Sequence, residues 1–192
     1  MQAKYRHYIW DFDGTLFDSY PHICYAFCRM MAEDGHPVDA AEADRMLRRS
    51  FDHARLHFQM SDDLYRAFKV HQREDFDPPI LPYPDCAQVL KALCDGGADH
   101  YIYTHRDHKS LCYYLEKHGF SHYFSGMITA DDGFASKPAP DALLALMERY
   151  GLRREDCIMV GDREIDIGSG KAAGIAGCLF DERKLAPDTA AD

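Results

Sequence analysis

The chain has 192 residues, with 22 Lys and Arg against 32 Asp and Glu, a formal net charge of −10. That length is one domain of ordinary size or one carrying a modest insertion. It hides about 70% of the unfolded surface, enough for a core without disulfide or metal staples. The acidic balance excludes a general binder of the phosphate backbone, so no nucleic-acid partner is expected. Composition, 46% apolar and 28% charged, excludes a disordered chain.

Tyr8-Ile9-Trp10 is a β-favouring run ending abruptly in Asp11-Phe12-Asp13-Gly14-Thr15, which reads as a strand followed by a turn. This opening run is too short for a signal peptide, and no stretch reaches the roughly 20 apolar residues that cross a bilayer, so a cytoplasmic protein without a membrane partner is expected. From Ser19, a candidate N-cap, Ile23, Phe27, Met30 and Met31 follow helical spacing, and the pattern stops near Gly35. Further helical pattern runs through Met46, Leu47, Phe51 and Phe58, then from Ser61 through Leu64, Tyr65 and Phe68. The segment Asp77-Pro78-Pro79-Ile80-Leu81-Pro82-Tyr83-Pro84 is a stiff, non-helical connector.

Beyond the connector, helices are predicted over Pro84 to Asp95, Asp107 to His118 and Asp141 to Tyr150, each closed by glycine. Strands are predicted over His100 to Thr104, Gly126 to Thr129, Cys157 to Val160 and Ile175 to Phe180. Strands alternating with helices imply an α/β fold with a parallel sheet covered on both faces. The expected division is a core of residues 1–18 and 82–192 with an inserted all-helical module, 19–81, that includes the proline-rich return. The seven cysteines are odd in number and lack a Cys-x-x-Cys pair, so they read as reduced packing residues.

In an extended chain residues i and i+2 face the same way, which puts Asp11 and Asp13 together at the carboxyl end of the first strand. Two carboxylates about 4 Å apart repel by a few kcal/mol even at an effective dielectric near 20, so a cation is needed there. Alone, Asp-x-Asp-Gly would be an ordinary acidic turn. Other strand ends alter that reading. Thr104-His105-Arg106 offers a hydroxyl and amides ahead of a helix, Ser136-Lys137-Pro138 offers an ammonium, and Gly161-Asp162-Arg163-Glu164-Ile165-Asp166 offers two more carboxylates. A merely structural sheet needs none of these.

The set resembles the haloacid dehalogenase-like hydrolase superfamily, whose four motifs correspond to Asp11-Phe12-Asp13-Gly14-Thr15-Leu16, Thr104, Lys137 and Gly161-Asp162-x-x-x-Asp166. The match covers roughly residues 4–18 and 82–180. The Phe17-Asp18-Ser19 turn and the run from Gly161 to Gly174 are similar to its phosphoglycolate phosphatase-like branch, in which a helical cap occupies the position of residues 19–81. The resemblance implies a Rossmann-like core and a Mg²⁺-dependent phosphatase acting on a small phosphorylated metabolite through an aspartyl-phosphate. It makes Asp11 the nucleophile and Asp13 the general acid and base. Thr104, His105 and Lys137 become phosphate ligands, with His105 replacing a frequent Asn and acting through its amide. Asp11, Asp13 through its carbonyl, Asp162 and Asp166 become metal ligands, and the cap closes over the site during transfer.

Charge agrees with a metal. Four carboxylates and a phosphate dianion total about −6, far beyond what Lys137 offsets. Asp13 argues against carbon–halogen cleavage, because halide leaves without a proton whereas an alkoxide needs one. A phosphomutase on a sugar phosphate and a catalytically quiet regulatory binding module remain as alternatives. Arg49 and Arg106 are candidate substrate contacts, set against a solvated helix face for Arg48-Arg49 and local pairing of Arg106 with Asp107. The pairs His53/His57 and His105/His108 lack the further ligands zinc requires. Oligomeric state is not encoded in any pattern found.

Overall fold

A computed structural model describes residues 4–74 and 76–180. The ends of the spans 1–18 and 82–192, residues 1–3 and 181–192, lie outside the described residues, as does residue 75. In chain order the elements are β1 (His7–Trp10), β2 (Phe17–Asp18), α1 (Tyr20–Glu33), α2 (Ala40–Arg49), α3 (Phe51–His57), α4 (Asp62–His71), β3 (Leu81–Pro82), α5 (Cys86–Asp95), β4 (Asp99–Tyr103), α6 (His108–Lys117), β5 (Phe124–Ile128), α7 (Asp141–Tyr150), β6 (Cys157–Gly161), α8 (Glu164–Ala173) and β7 (Ala176–Leu179). The chain divides into two compact units, Met1–Phe17 with Pro82–Asp192, and Asp18–Leu81.

The first unit is built on a five-stranded parallel sheet in the order β5-β4-β1-β6-β7. β1 is central: Trp10 pairs with Ile102 on one side and Val160 on the other. Alternation sends Ile9, Tyr101 and Met159 to one face, where they pack with Leu143, Leu146, Ala173 and Ile175. Each such large side chain, fully buried, contributes about 1.5–3 kcal/mol. On the opposite face the Trp10 indole N–H donates to His100 Nδ1 at 3.0 Å, and His100 Nε2–H donates to the Leu90 carbonyl at 3.1 Å. His100 is wholly buried, and burial pushes its imidazole below the ordinary histidine value. The α/β fold with a parallel sheet is the one the strand–helix alternation implies.

The second unit contains α1 to α4. Its core is Ile23, Phe27, Met31, Ala43, Leu47, Ala54 and Phe68. Asp39, Ser50 and Ser61 accept from the N–H groups of Glu42, His53 and Leu64, capping α2, α3 and α4. Ser19 precedes α1 without capping it. Its backbone is helical, φ −91° and ψ −14°, whereas a capping serine is extended, and Pro21 removes one N–H from the first turn. The Arg48 guanidinium lies 3.9 Å from the Tyr20 ring centre and pairs with Asp44 at 3.0 Å, while Arg49 is exposed. His57 pairs with Glu42.

All seven cysteines are free, with Cys24 and Cys157 buried and Cys94 and Cys178 exposed, so packing accounts for only some of them. No helix among the described residues is long and apolar enough to cross a membrane.

Candidate active site

The first strand delivers Asp11. Its N–H donates to the Val160 carbonyl at 2.8 Å, extending the sheet ladder one residue past Trp10. The chain then wraps around Phe12, whose carbonyl accepts from the N–H groups of Thr15, Leu16 and Phe17, and the Phe12 and Phe17 rings stack at 4.5 Å. Gly14 takes φ +81° to make this turn, a conformation costly for a side chain. Thr15 Oγ1 reaches Asp162 Oδ1 at 3.5 Å.

Lys137 gathers the site. Its ammonium lies 2.6 Å from Asp11 Oδ1 and 2.7 Å from Asp166 Oδ1, and it donates to the Tyr103 carbonyl at 2.8 Å. All three charged side chains are essentially inaccessible to water. The Lys137 N–H donates to His105 Nε2 at 3.0 Å, so the His105 ring ties the lysine loop to the end of β4. Thr104 is buried at that strand end. Its N–H donates to Ile128 and its Oγ1 accepts from the Arg106 N–H at 3.1 Å.

The β6–α8 turn supplies the remaining carboxylates. Asp166 Oδ2 accepts from the Arg163 N–H at 3.0 Å, closing the first turn of α8. A Cβ at Gly161 would lie 2.3 Å from Asp166 Cβ, so only glycine lets this carboxylate approach the strand end. Arg163 Nε lies 4.0 Å from Asp162 Oδ1 and 3.9 Å from Asp166 Oδ2.

Asp11, Asp162 and Asp166 each present a carboxylate oxygen, and these oxygens all lie within 4.8 Å of one another. Asp11 Oδ2 is buried and accepts no hydrogen bond. An orphaned anionic oxygen facing an all-oxygen donor set fits a hard divalent cation. This is the only cluster of three or more His, Cys, Asp or Glu side chains with metal-binding spacing among the described residues. Burial pushes the Asp11 carboxyl up to about 6 against the pull of Lys137, with Asp166 adding to the rise. For Asp166 burial acts in the same upward sense, but Lys137 and Arg163 outweigh it and hold the group below the ordinary carboxylate value. Burial likewise works to lower Lys137, and its two carboxylates keep it above the ordinary lysine value.

Asp13 stands outside this cluster. Its carboxylate is forked by Arg106, Nε to Oδ2 at 3.2 Å and Nη2 to Oδ1 at 2.6 Å. Arg106 is buried and committed to this pairing, while Asp107, its expected local partner, instead accepts from the Ser110 N–H at the start of α6. The first strand's two aspartates therefore each have a cation of their own. The sequence carried no mark of the Arg106 fork, which spans 93 positions. The acceptor role of the His105 ring has no sequence mark either: the resemblance implies only an amide contact there, and its partner lies 32 positions away.

The pattern of the haloacid dehalogenase-like hydrolases matches residues 8–180. The chain belongs to this family. It is 30% identical over 183 residues to a phosphoglycolate phosphatase of Vibrio parahaemolyticus, covering 86% of this chain and 79% of that protein. A phosphoglycolate phosphatase of Pseudomonas savastanoi is 28% identical over 185 residues, and the chain spans 66% of its length. A crystal structure of a hydrolase from Streptococcus pneumoniae TIGR4 superimposes with a TM-score of 0.67 at 30% identity, covering 93% of this chain and 94% of the other. The family member described here is an enzyme of the phosphoric monoester hydrolase class.

Proposed function

We propose that the enzyme is a Mg²⁺-dependent phosphatase that cleaves a small phosphorylated metabolite through an aspartyl-phosphate. The observation that carries the reading is the buried Lys137 ammonium bridging Asp11 and Asp166 beside the Asp11, Asp162 and Asp166 oxygens. Asp11, Asp162 and Asp166, with the Asp13 carbonyl, would hold the Mg²⁺, which when bound supplies charge neutralisation to the phosphoryl oxygens. An Asp11 oxygen attacks phosphorus, and the ester P–O bond breaks as the new bond forms. Asp13, protonated from solvent before the transfer, gives that proton to the leaving oxygen, and as the carboxylate paired with Arg106 it then takes one from the water that attacks the aspartyl-phosphate. Thr104, the His105 amide and Lys137 hold the transferring oxygens, where spread charge most needs stabilising. Arg49 is a candidate contact to a second acidic group of the substrate.

A screen of phosphoglycolate, sugar phosphates, nucleotides and pyrophosphate tests the substrate class, with phosphoglycolate first because the relatives above carry that name. The expected result is turnover that chelation of Mg²⁺ stops and that Asp11→Asn abolishes. Undiminished turnover by D11N overturns the nucleophile assignment, and dependence on a bisphosphate activator would make the enzyme a phosphomutase.

A further inference from the structure

Arg106 is a buried cation outside the Lys137 cluster. Its N–H donates to Thr104 Oγ1, and its carbonyl accepts from the Ala130 N–H at 3.0 Å. Its side chain is 1% exposed. Two guanidinium nitrogens fork Asp13, and the remaining one, Nη1, donates to Ser110 Oγ at 2.8 Å. The guanidinium carbon lies 5.2 Å from the Phe12 ring centre and 5.3 Å from that of Tyr114.

Burying a guanidinium costs several kcal/mol unless its donors are matched, and here each nitrogen has an acceptor. A point charge would offset Asp13 equally well from many directions. A planar fork fixes both oxygens at once, and with them the plane and tilt of the carboxylate. Ser110 and the two rings fix the fork in turn. Phe12 adjoins Asp11 and Asp13 in sequence, so one packing unit sets the acid's residue and its guanidinium together.

We infer that Arg106 is a positioning residue for Asp13, holding its carboxylate in the one orientation from which it moves protons to and from the reacting oxygens. The inference rests on the phosphatase reading above. It removes Arg106 from the substrate contacts and places it one residue behind the chemistry. Misplacing a catalytic group by about 1 Å costs on the order of 100-fold in rate, which is the scale at stake.

The test compares wild type, R106K, D13N and R106K/D13N in full-length protein with Mg²⁺, using an aryl phosphate so that residual rates are measurable. Lysine keeps the charge and loses the fork. R106K is expected to lower kcat at least about tenfold with KM within about twofold, because orientation and not binding is lost. Mg²⁺ affinity measured by calorimetry is expected to be unchanged, since Asp11, Asp162 and Asp166 are untouched. In the D13N background the same lysine substitution is expected to cost less than about twofold more, the non-additivity of residues acting as a unit. An equal cost in both backgrounds would mark Arg106 as a support of the fold and overturn the inference, as would full kcat in R106K. Should R106K fail to fold, Ser110→Ala, which removes the acceptor of Nη1 and leaves the Asp13 fork in place, carries the same comparison. A several-fold fall in kcat that disappears in D13N supports the inference, and a rate equal to wild type overturns it. A wild-type protein that turns over no phosphate ester overturns the phosphatase reading and this inference with it.

Discussion

Asp11 is pulled in opposite directions by burial, which favours its neutral form, and by Lys137, which favours the carboxylate, and burial wins with the group pushed up to about 6. A metal takes only the carboxylate. Protonation therefore competes with metal increasingly as pH falls through about 6. Divalent-metal affinity is expected to be flat between about pH 7 and 8 and to fall by up to about tenfold per unit below 6 through this one group, a trend that calorimetry across that range will read. Gly161 offers a second residue-level test. Alanine there would drive a methyl into Asp166. G161A is expected to destabilise the protein by about 1–3 kcal/mol, as overpacking does, and to weaken metal binding, both measured by thermal unfolding with and without Mg²⁺. The acidic residues of this site could be named in advance because short-range spacing ties them to strand ends. Arg106 could not be assigned its partner, since a fork between residues so far apart leaves no periodic trace.

Among the elements, β1 and β4 are joined by more than their ladder. His100 accepts from Trp10 through Nδ1 and so must remain neutral to make both of its hydrogen bonds. Its folded value lies below the ordinary 6.5, so the unfolded chain takes up the proton first. Stability from this group is full above pH 6.5 and is lost as pH falls below it. Chemical denaturation at stepped pH, followed through the single tryptophan, is expected to show that loss, and His100→Gln to flatten it. At α6, Asp107→Ala removes the cap and is expected to cost about 1 kcal/mol by urea denaturation. The long strands and helices were legible because apolar periodicity persists over whole elements. β2 and β3, two residues each, are too short to carry any period. α5 begins at Cys86 and not at Pro84, because Asp85 adopts φ +63° and breaks the helical path.

At the level of the whole molecule, a metal bound only by the folded state adds stability by mass action. Mg²⁺ at 100 times its Kd is expected to contribute about 2.7 kcal/mol, seen as a rise in melting temperature that Asp162→Asn abolishes. The net charge of −10 gives no sign of this site, because acidic residues are spread along the entire chain. What exposed it was the recurrence of polar groups at several strand ends. A chain pattern yields that, whereas the Lys137 bridge required three-dimensional placement.

The sheet order has a consequence for how the protein is made. Trp10, the last residue of β1 before Asp11, finds its ladder neighbours at Ile102 and Val160. A ribosome thus releases Asp11 early and must synthesise more than half of the polypeptide before either flanking strand emerges. The intervening helices can close on themselves meanwhile, since their contacts are local. Nascent chains truncated before β6 should hold Asp11 unburied, so that the Lys137 bridge from it to Asp166 waits until synthesis is nearly finished.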